Sequence, residues 1–406
     1  MQSILERLDE TLIQQTEQAM ITILFVHQGA ELYGSDKVLL NIVKGLDRKR
    51  FEPIVVLPED GPLVEELKKR GIEIHFAPVV KVSRKIYGLV GLLTLPFSIL
   101  NAVRKIDRAL KGRRIDIVHS NTLAVLAGAA WAGLRKVKHV WHVHEIIRTP
   151  MPARKGFPLL IRMLADQAVC NSVATGKWLA GEQPGLADKI SVVWNGIEAI
   201  SPPDTLAVQN FRDSLNLSAD DLLVTLVGRI SWWKGQRLLV DAARIICEKG
   251  HLKVRYLIVG GVFPGQEHIK KELDDYIAES GVKQYVKIID FTNDINLVWQ
   301  ATDLAVVPST EPEPFGMVAI EAMRAGKPVI AANHGGLQEI VEHGKTGILF
   351  PPCDAEAFAD ALIDLITNPD KRRAMGEAGK KRQEELFSVE AQLTRLGQCY
   401  AKEVGL

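Results

Sequence analysis

Cysteine is scarce in this 406-residue chain, and no two cysteines form a C-x-x-C pair. The four are Cys170, Cys247, Cys353 and Cys399. Such wide spacing argues against a disulfide framework and is typical of buried thiols in a reducing compartment. No cluster of histidine, cysteine and carboxylate residues has metal-ligand spacing, so we predict no metal site.

An excess of charge of either sign is also missing. The 50 Lys and Arg residues against 49 Asp and Glu residues give a formal net charge of +1, which offers no reason to expect nucleic acid as a partner. The uncharged run 86–103 is interrupted by Pro96, so we predict no membrane-spanning helix. Residues 1–19 lack the continuous apolar core of a signal peptide, and we predict a polar amphipathic helix there.

Short apolar runs rich in β-branched residues alternate with helical patterns in two series. The first series of predicted strands covers 21–27, 53–57, 72–77, 115–119, 139–142, 167–171 and 190–194. After a proline-containing connector, the second covers 222–227, 254–259, 286–289, 304–307, 329–331 and 347–349. This alternation predicts two parallel sheets, with functional residues just after the carboxyl ends of the strands.

Two acids eight positions apart, Glu313 and Glu321, accompany a predicted helix at 314–325. Proline is favoured at the first helical position, so Pro314 places Glu313 just outside the helix and Glu321 about two turns inside. The N–H groups at the helix start suit phosphate. The segment therefore predicts a site for a ligand with hydroxyls and phosphate, such as a nucleotide sugar. The alternative is that Glu313 caps the helix electrostatically and Glu321 is solvated.

Two cations follow the first strand of the second series. Arg229 lies at the end of that strand and Lys234 at the start of the next helix. Fixed cations beside a helix N-terminus suit a diphosphate, and arginine can bind it with two hydrogen bonds. The alternative is a pair of solvated surface cations.

The first half of the chain carries weaker signals at equivalent places. Gly29 and Gly34 follow the first strand, where glycine permits close approach of a ligand to the backbone. An ordinary turn explains them equally well. His144 follows another strand and could hydrogen-bond a substrate hydroxyl or donate to developing charge, although histidines at strand ends are often structural. The segment at His119 is a weaker case of the same kind.

Together these segments resemble the family-four retaining glycosyltransferases of the GT-B fold. The matching segments are 29–35, His144-Glu145, 195–197, Gly228-Arg229 with Lys234-Gly235, Glu313-Pro314-Phe315-Gly316 with Glu321, and Gly335-Gly336 with Glu339. They cover nearly the whole chain from about residue 21, and the C-terminal set is the specific part.

The resemblance implies an α/β fold of two Rossmann-like, doubly wound parallel-sheet domains facing across a cleft. We expect a polar helical extension at 1–19, an acceptor domain at 20–198 and a nucleotide-sugar donor domain at 199–385. A C-terminal helix at 386–406 is expected to return toward the N-terminal domain. Members of this fold do not need a metal, and we expect no cofactor beyond the donor substrate.

The implied chemistry is transfer of a hexose from a nucleotide diphosphate sugar with its anomeric configuration retained. Arg229 and Lys234 would bind the diphosphate and stabilise the leaving group. Glu321 would hold the ribose hydroxyls, and Glu313 the hydroxyls of the transferred sugar. From family frequency the donor is expected to be a uridine diphosphate sugar, glucose-like.

The remaining implied donor contacts are less specific. Backbone N–H groups of Phe315, Gly316 and Met317 would lie near sugar and phosphate. His144 would help to place the donor sugar, and the loop at Phe291 and Thr292 would pack on the base. The usual Asp after the histidine is Glu145 here, which leaves the role of that residue open.

The acceptor is expected to be a glycan or a lipid-linked saccharide in polysaccharide synthesis. Between Lys81 and Arg114 the chain has nine Lys or Arg residues and one acid, Asp107, around the uncharged run. This pattern is typical of a segment on an anionic membrane surface, and a packed core helix is the alternative. A further basic stretch follows His144, at Arg148, Arg154, Lys155 and Arg162. We expect a cytoplasmic protein, peripheral on the inner face of the membrane.

Other functional classes remain open from the residues. One is a GT-B-fold epimerase or phosphorylase, of which a phosphorylase would need a pyridoxal-phosphate lysine site or a pocket for inorganic phosphate. Another is a non-catalytic sensor of sugar nucleotides. Arg229, Lys234, Glu313 and Glu321 together argue against the sensor, since a protein without activity has no need of all four.

Overall fold

The chain divides into two compact units, each built around one parallel sheet. The computed structural model describes residues 20–32, 34–80, 89–250 and 252–406, so the helix predicted at 1–19 lies outside the described residues. Unit 1 comprises 1–170, 179–191 and 393–406, and unit 2 comprises 171–178 and 192–392. Each unit is described by itself.

Unit 1 contains a seven-stranded sheet in the order β3-β2-β1-β4-β5-β6-β7. Its strands are β1 (Ile21–His27), β2 (Phe51–Leu57), β3 (Glu73–Phe76), β4 (Ile117–Asn121), β5 (Lys138–Val143), β6 (Gln167–Cys170) and β7 (Ile190–Val192). β1 is buried along its whole length, as its β-branched apolar sequence predicts for a parallel strand covered on both faces.

Helices connect the strands of unit 1. They are α1 (Gly34–Gly45), α2 (Pro62–Lys68), α3 (Leu89–Leu110), α4 (Leu126–Arg135), α5 (Met151–Leu164) and α6 (Val173–Glu182), and the C-terminal helix is α15 (Val389–Val404). The α4 helix packs against both α3 and α5. The last two helices cross the division between the units, at Trp178 and Gln392.

Unit 2 contains a six-stranded sheet in the order β10-β9-β8-β11-β12-β13. Its strands are β8 (Leu222–Val227), β9 (Val254–Val259), β10 (Val286–Ile289), β11 (Leu304–Val307), β12 (Val329–Ala332) and β13 (Gly347–Phe350). Its helices are α7 (Thr205–Ser214), α8 (Gln236–Glu248), α9 (Glu267–Glu279), α10 (Ile295–Ala301), α11 (Met317–Arg324), α12 (Leu337–Ile340), α13 (Ala355–Thr367) and α14 (Pro369–Leu386).

These two sheets confirm the predicted α/β class with two doubly wound parallel sheets. Strands β1 and β8 have the predicted bounds, and every predicted strand is present within a few residues. The uncharged run 86–103 falls largely on α3, whose buried stripe of Ala102, Val103 and Ile106 joins the core of unit 1. Among the helices that the structure describes, none is both long and apolar enough to cross a bilayer.

Candidate functional site

The predicted donor residues of unit 2 lie in loops at the carboxyl ends of neighbouring strands. Lys234 follows β8, Glu313 follows β11, and Gly335 follows β12. Because β8, β11 and β12 are adjacent and parallel, these loops meet at one edge of the sheet. The fold thus brings together residues that are far apart in the sequence.

An ion pair between a half-buried lysine and a buried glutamate occupies the middle of this edge. Lys234 Nζ lies 2.6 Å from Glu313 Oε1, and the Ser309 hydroxyl donates to the same oxygen at 2.6 Å. Glu313 is only 5% exposed. His334 Nε2 donates to the Ser309 carbonyl oxygen at 2.7 Å, which steadies the loop that carries the hydroxyl. The sequence pointed to Lys234 and Glu313 separately and did not single out Ser309, because nothing local in the chain signals these hydrogen bonds.

Two glycines allow the Glu313 loop to pack this closely. A Cβ at Gly335 would overlap the backbone of Glu313, and one at Gly336 would overlap the backbone of Phe315. The Gly336 N–H also donates to the Glu313 carbonyl oxygen at 2.8 Å. Gly335 and Gly336 therefore support the site by permitting contact with its backbone.

Arg229 lies on the exposed side of the same edge. Its guanidinium carbon is 3.2 Å from the ring centroid of Phe263, in a cation–π contact that holds the side chain over the loop after β9. The backbone of that loop approaches closely as well, since a Cβ at Gly260 would overlap the carbonyl of Gly228. The arrangement leaves Arg229 exposed beside the Lys234–Glu313 pair.

The prediction that the helix begins at Pro314 is wrong, since α11 begins at Met317 after the N-cap residue Gly316. Gly316 has φ of 125°, and a Cβ there would crowd the Leu337 side chain. The chain therefore turns before it becomes helical, and Glu321 lies about one turn into the helix instead of two. The Trp299 indole N–H donates to Glu321 at 3.4 Å. Phe315 is buried, so its side chain packs in the core.

The loop expected to pack on a base follows β10. Phe291 is 68% exposed there, and the Thr292 hydroxyl accepts a hydrogen bond from the Asp294 N–H at 3.1 Å. An exposed aromatic side chain in an otherwise polar loop can stack on a planar ring.

Unit 1 places a hydrogen-bonded chain at the carboxyl ends of β1, β4 and β5. His27 Nε2 lies 2.6 Å from Asp36 Oδ1, His27 Nδ1 lies 3.0 Å from Asn121 Nδ2, and Asn121 Oδ1 lies 2.8 Å from His144 Nε2. These hydrogen bonds join His144, which the sequence analysis singled out, with His27, which it did not. Gly29 and Gly34 lie nearby in the sequence, and the space that a Cβ would take at either is open.

Two titrating groups at this edge have strongly altered pKa values. Burial lowers the pKa of His144 well below its usual value, with the neighbouring His142 and His27 adding to the effect. Burial raises the pKa of Glu145 to about 7, although its carboxylate accepts hydrogen bonds from the N–H groups of Leu123 and His144. Glu145 therefore holds the backbone of His144 and titrates near neutral pH.

Taken by itself, the edge of unit 2 has the chemistry of a site for an anionic ligand rich in hydroxyl groups. It offers an exposed guanidinium, a half-buried ammonium paired with a buried carboxylate, and the start of α11, whose first N–H groups point out of the helix. No group of three or more metal-ligating side chains occurs within the described ranges.

Comparison with known proteins gives the family. The model of the glycosyl transferases group 1 matches residues 207–382, and that of glycosyltransferase family 4 matches residues 33–199. A D-inositol 3-phosphate glycosyltransferase of Thermobispora bispora is 30% identical over 325 residues, which are 75% of this chain and 74% of that relative. One from Corynebacterium urealyticum is 36% identical over 194 residues, 47% of this chain and 46% of the relative, so the match spans about half of its length.

A solved structure supports the same assignment. Anabaena HepE in complex with UDP-glucose has a TM-score of 0.79 and 26% identity, and the match covers 94% of this chain and 100% of that chain. The chain belongs to the group 1 glycosyltransferases and has the GT-B fold.

Proposed function

We propose that this chain is a retaining hexosyltransferase that uses a UDP-linked hexose as donor. The observation that carries the proposal is the ion pair between half-buried Lys234 and buried Glu313 beside the start of α11. A phosphate that binds Lys234 leaves Glu313 buried without its cation, and the sugar hydroxyls of the same donor can then donate to Glu313. A nucleotide sugar therefore offers a new partner to both Lys234 and Glu313, whereas a simple anion offers one to Lys234 alone. The similarity to HepE, which was solved with UDP-glucose, supports this choice of donor.

Each part of the edge has a role in this proposal. Arg229 and Lys234 bind the diphosphate and stabilise the charge that develops as it leaves. The backbone N–H groups of Phe315, Gly316 and Met317, where α11 starts, add positive potential. In this proposal Glu313 binds the transferred sugar, and His144 binds one hydroxyl of that sugar. Glu321 binds the ribose hydroxyls. Phe291 and Thr292 contact the uracil.

Donor hydrolysis and transfer test the proposed activity directly. With UDP-glucose among a panel of sugar nucleotides, we expect slow release of UDP in the absence of acceptor. With acceptor, we expect a product whose anomeric configuration, read by proton NMR, is the same as that of the donor sugar. Arg229, Lys234 and the helix start supply the positive charge, so activity is expected to persist in a chelator. Loss of activity in chelator with rescue by magnesium would contradict metal independence. An epimerised nucleotide sugar or phosphate-dependent cleavage would favour the epimerase or phosphorylase alternatives.

The two acids are expected to differ in their effect on bare UDP. Glu321→Ala removes the proposed ribose contact, so calorimetry should show weaker binding of UDP. Glu313→Gln releases Lys234 from its carboxylate, so UDP should bind at least as tightly as to the wild type, while transfer falls about a hundredfold. Equal weakening of UDP binding by both variants would contradict this division of roles.

We further propose that the acceptor is a lipid-linked saccharide at an anionic membrane surface, on the inner face of the cell membrane. The exposed side of α3 supports this proposal. Leu93, Phe97 and Leu100 are 66%, 76% and 41% exposed and follow one helical face, which continues into the exposed Arg104 and Arg108. Apolar side chains beside cations are what an interfacial helix needs. Residues 81–88 of the basic stretch lie outside the described residues.

The α5 helix repeats the pattern, with exposed Met151, Lys155, Leu159 and Met163. Because α4 packs against both α3 and α5, the two exposed stripes belong to the same side of the sheet. Some of the cations counted in the sequence are already paired. Arg113 forms ion pairs with Glu52 and Glu73, and Arg154 with Glu182. The attraction to lipid would therefore come from fewer basic residues than the sequence suggests.

Vesicle flotation tests this surface. The wild-type chain is expected to float with vesicles containing anionic lipid and not with neutral ones. Phe97→Ser should reduce flotation because it removes an exposed apolar side chain from this surface. Arg104→Glu should reduce it because each nearby cation contributes about 1 kcal/mol. Leu206→Ser is the matched control, because Leu206 is 63% exposed on α7 of unit 2. Equal flotation with both vesicle types, or with neither, would remove the membrane proposal, and an acceptor panel should then include D-inositol 3-phosphate.

A further inference from the structure

Four side chains at one edge of the unit 1 sheet form a continuous hydrogen-bonded chain. His27 and Asn121 are the last residues of the adjacent strands β1 and β4 and are paired in register, and His144 follows the next strand, β5. His27 and Asn121 are fully buried, and Asp36 on α1 is 5% exposed. The ring of His142 lies 4.0 Å from that of His144 and packs against it. The backbone of β1, β4 and β5 therefore determines where this series of hydrogen bonds runs.

The orientation of the Asn121 amide determines which group donates and which accepts in each of these hydrogen bonds. Asn121 Nδ2 lies 3.3 Å from the carbonyl oxygen of Ser35 as well as 3.0 Å from His27 Nδ1. A carbonyl oxygen only accepts, so the NH2 group and not the amide oxygen must face Ser35. Asn121 Oδ1 consequently faces His144 Nε2, at 2.8 Å.

The protons of both histidines follow from this orientation. His27 Nδ1 accepts from Asn121, so the proton of the His27 ring lies on Nε2 and is donated to Asp36 Oδ1 at 2.6 Å. His144 Nε2 must carry a proton to donate to Asn121 Oδ1. Because burial lowers the pKa of His144, its ring is neutral near pH 7, and His144 Nδ1 carries no proton.

We infer that Asp36, His27 and Asn121 are positioning residues that hold His144 in one orientation and one tautomer, in which Nδ1 is a hydrogen-bond acceptor and not a donor. This inference rests on the proposed hexose transfer. It selects between the two roles that the sequence left open for His144, since a ring with its only proton directed at Asn121 accepts from a hydroxyl and does not donate to developing charge.

Asn121→Asp is the sharpest variant, because it keeps the size of the side chain and changes its hydrogen bonding. A carboxylate has no proton to donate to His27 Nδ1 or Ser35, and its charge beside His144 favours the doubly protonated ring. Asp36→Leu removes the acceptor for His27 Nε2. Asp36→Asn is the conservative control, since its amide oxygen can still accept from His27.

Nitrogen NMR of the full chain with labelled histidine reads the tautomer directly, with the His144 signals assigned by their loss in His144→Gln. In the wild type we expect an unprotonated Nδ1 that does not titrate between about pH 8 and pH 6. Asn121→Asp should give His144 protonated on both nitrogens at pH 7, and Asp36→Leu a mixture of tautomers, with Asp36→Asn like the wild type. A wild-type His144 protonated on Nδ1, or a His144 spectrum unchanged in Asn121→Asp, would overturn the inference.

Kinetics complete the test. Asn121→Asp and Asp36→Leu should lower kcat/KM for transfer about a hundredfold, the size typical of a misplaced group, while calorimetry with bare UDP stays within twofold of the wild type. Loss of UDP binding in these variants would contradict a role confined to the sugar. If the wild type transfers no hexose at all, the proposed function fails, whereas the tautomer measurement still reports on the chain of hydrogen bonds.

Discussion

Replacing Lys234 by alanine is expected to lower turnover about a hundredfold to a thousandfold and to destabilise unit 2 by about 3 kcal/mol. The catalytic loss follows if the ammonium stabilises the departing diphosphate. The loss of stability follows from the structure, because Glu313 is 5% exposed and would keep the Ser309 hydroxyl but lose its cation. Turnover and the free energy of unfolding in urea measure the two effects separately.

Matched variants separate charge from packing in this prediction. Arg229→Ala should lower turnover with little change in stability, since Arg229 is exposed. The double variant Lys234→Ala/Glu313→Gln should regain most of the stability, because no buried carboxylate is left unpaired, but it should not regain turnover. Near-wild-type turnover in Lys234→Ala would remove the phosphate role. A stability unchanged by Lys234→Ala would show that Glu313 does not depend on its cation.

The central strands could be predicted from the sequence because they are buried on both faces. β8 is an uninterrupted run of aliphatic and β-branched residues, and β9 departs from this only at Arg255 and Tyr256; the bounds of both strands agree with the prediction. Local composition is sufficient there, since a parallel strand between two layers of helices has no polar face. The positions of the loops at the carboxyl ends follow from the same alternation of strands and helices.

The start of α11 could not be predicted in this way. Pro314 is a favourable first residue for a helix, but the Glu313 loop packs against Gly335 and Gly336, and Gly316 adopts a positive φ under Leu337. These constraints come from residues about twenty positions further along the chain. Tertiary packing therefore overrides a correct local signal and moves the helix start to Met317.

Pairings between distant residues were equally invisible to local patterns. Lys234 and Glu313 are 79 positions apart, and the Tyr400 hydroxyl lies 2.8 Å from His119 Nδ1 across 281 positions. Glu339 gives a third example, since its carboxylate accepts from the N–H groups of Val173 and Ala174 at 2.8 and 2.9 Å at the start of α6. The sequence pointed to Lys234 and Glu313 as candidate residues, but not to the hydrogen bond between them or to Ser309.

Lowering the pH from 7 to about 5.5 is expected to destabilise unit 1. Burial lowers the pKa of His119, His142 and His144 well below the usual value, and that of His139 to about 4. The unfolded chain protonates these rings below about pH 6.5 while the folded chain does not, so stability is lost as the pH falls through that value. Glu145, with a pKa raised to about 7, acts in the opposite direction, because the folded chain holds its proton first.

Four histidines opposed by one glutamate leave about three extra protons on the unfolded chain, which corresponds to roughly 4 kcal/mol per pH unit once the unfolded histidines are charged. Hydrogen exchange of the β4 and β5 peptides at pH 7 and pH 5.5, corrected for intrinsic rates, measures the effect within unit 1. A local stability that is constant or rises between these pH values would contradict the prediction.

His142→Leu isolates one of these protons. Neither ring nitrogen of His142 has a hydrogen-bond partner among the described residues, so an aliphatic side chain forfeits no hydrogen bond there. The variant should match or exceed the wild type in stability at pH 7. Its advantage should grow by about 1 kcal/mol at pH 5.5, since it removes one proton from the difference between the folded and unfolded states. His268→Leu, at an exposed position in unit 2, is the control and should leave the pH dependence of the β4 and β5 peptides unchanged. An identical pH dependence in His142→Leu and the wild type would mean that the His142 ring already binds its proton in the folded chain.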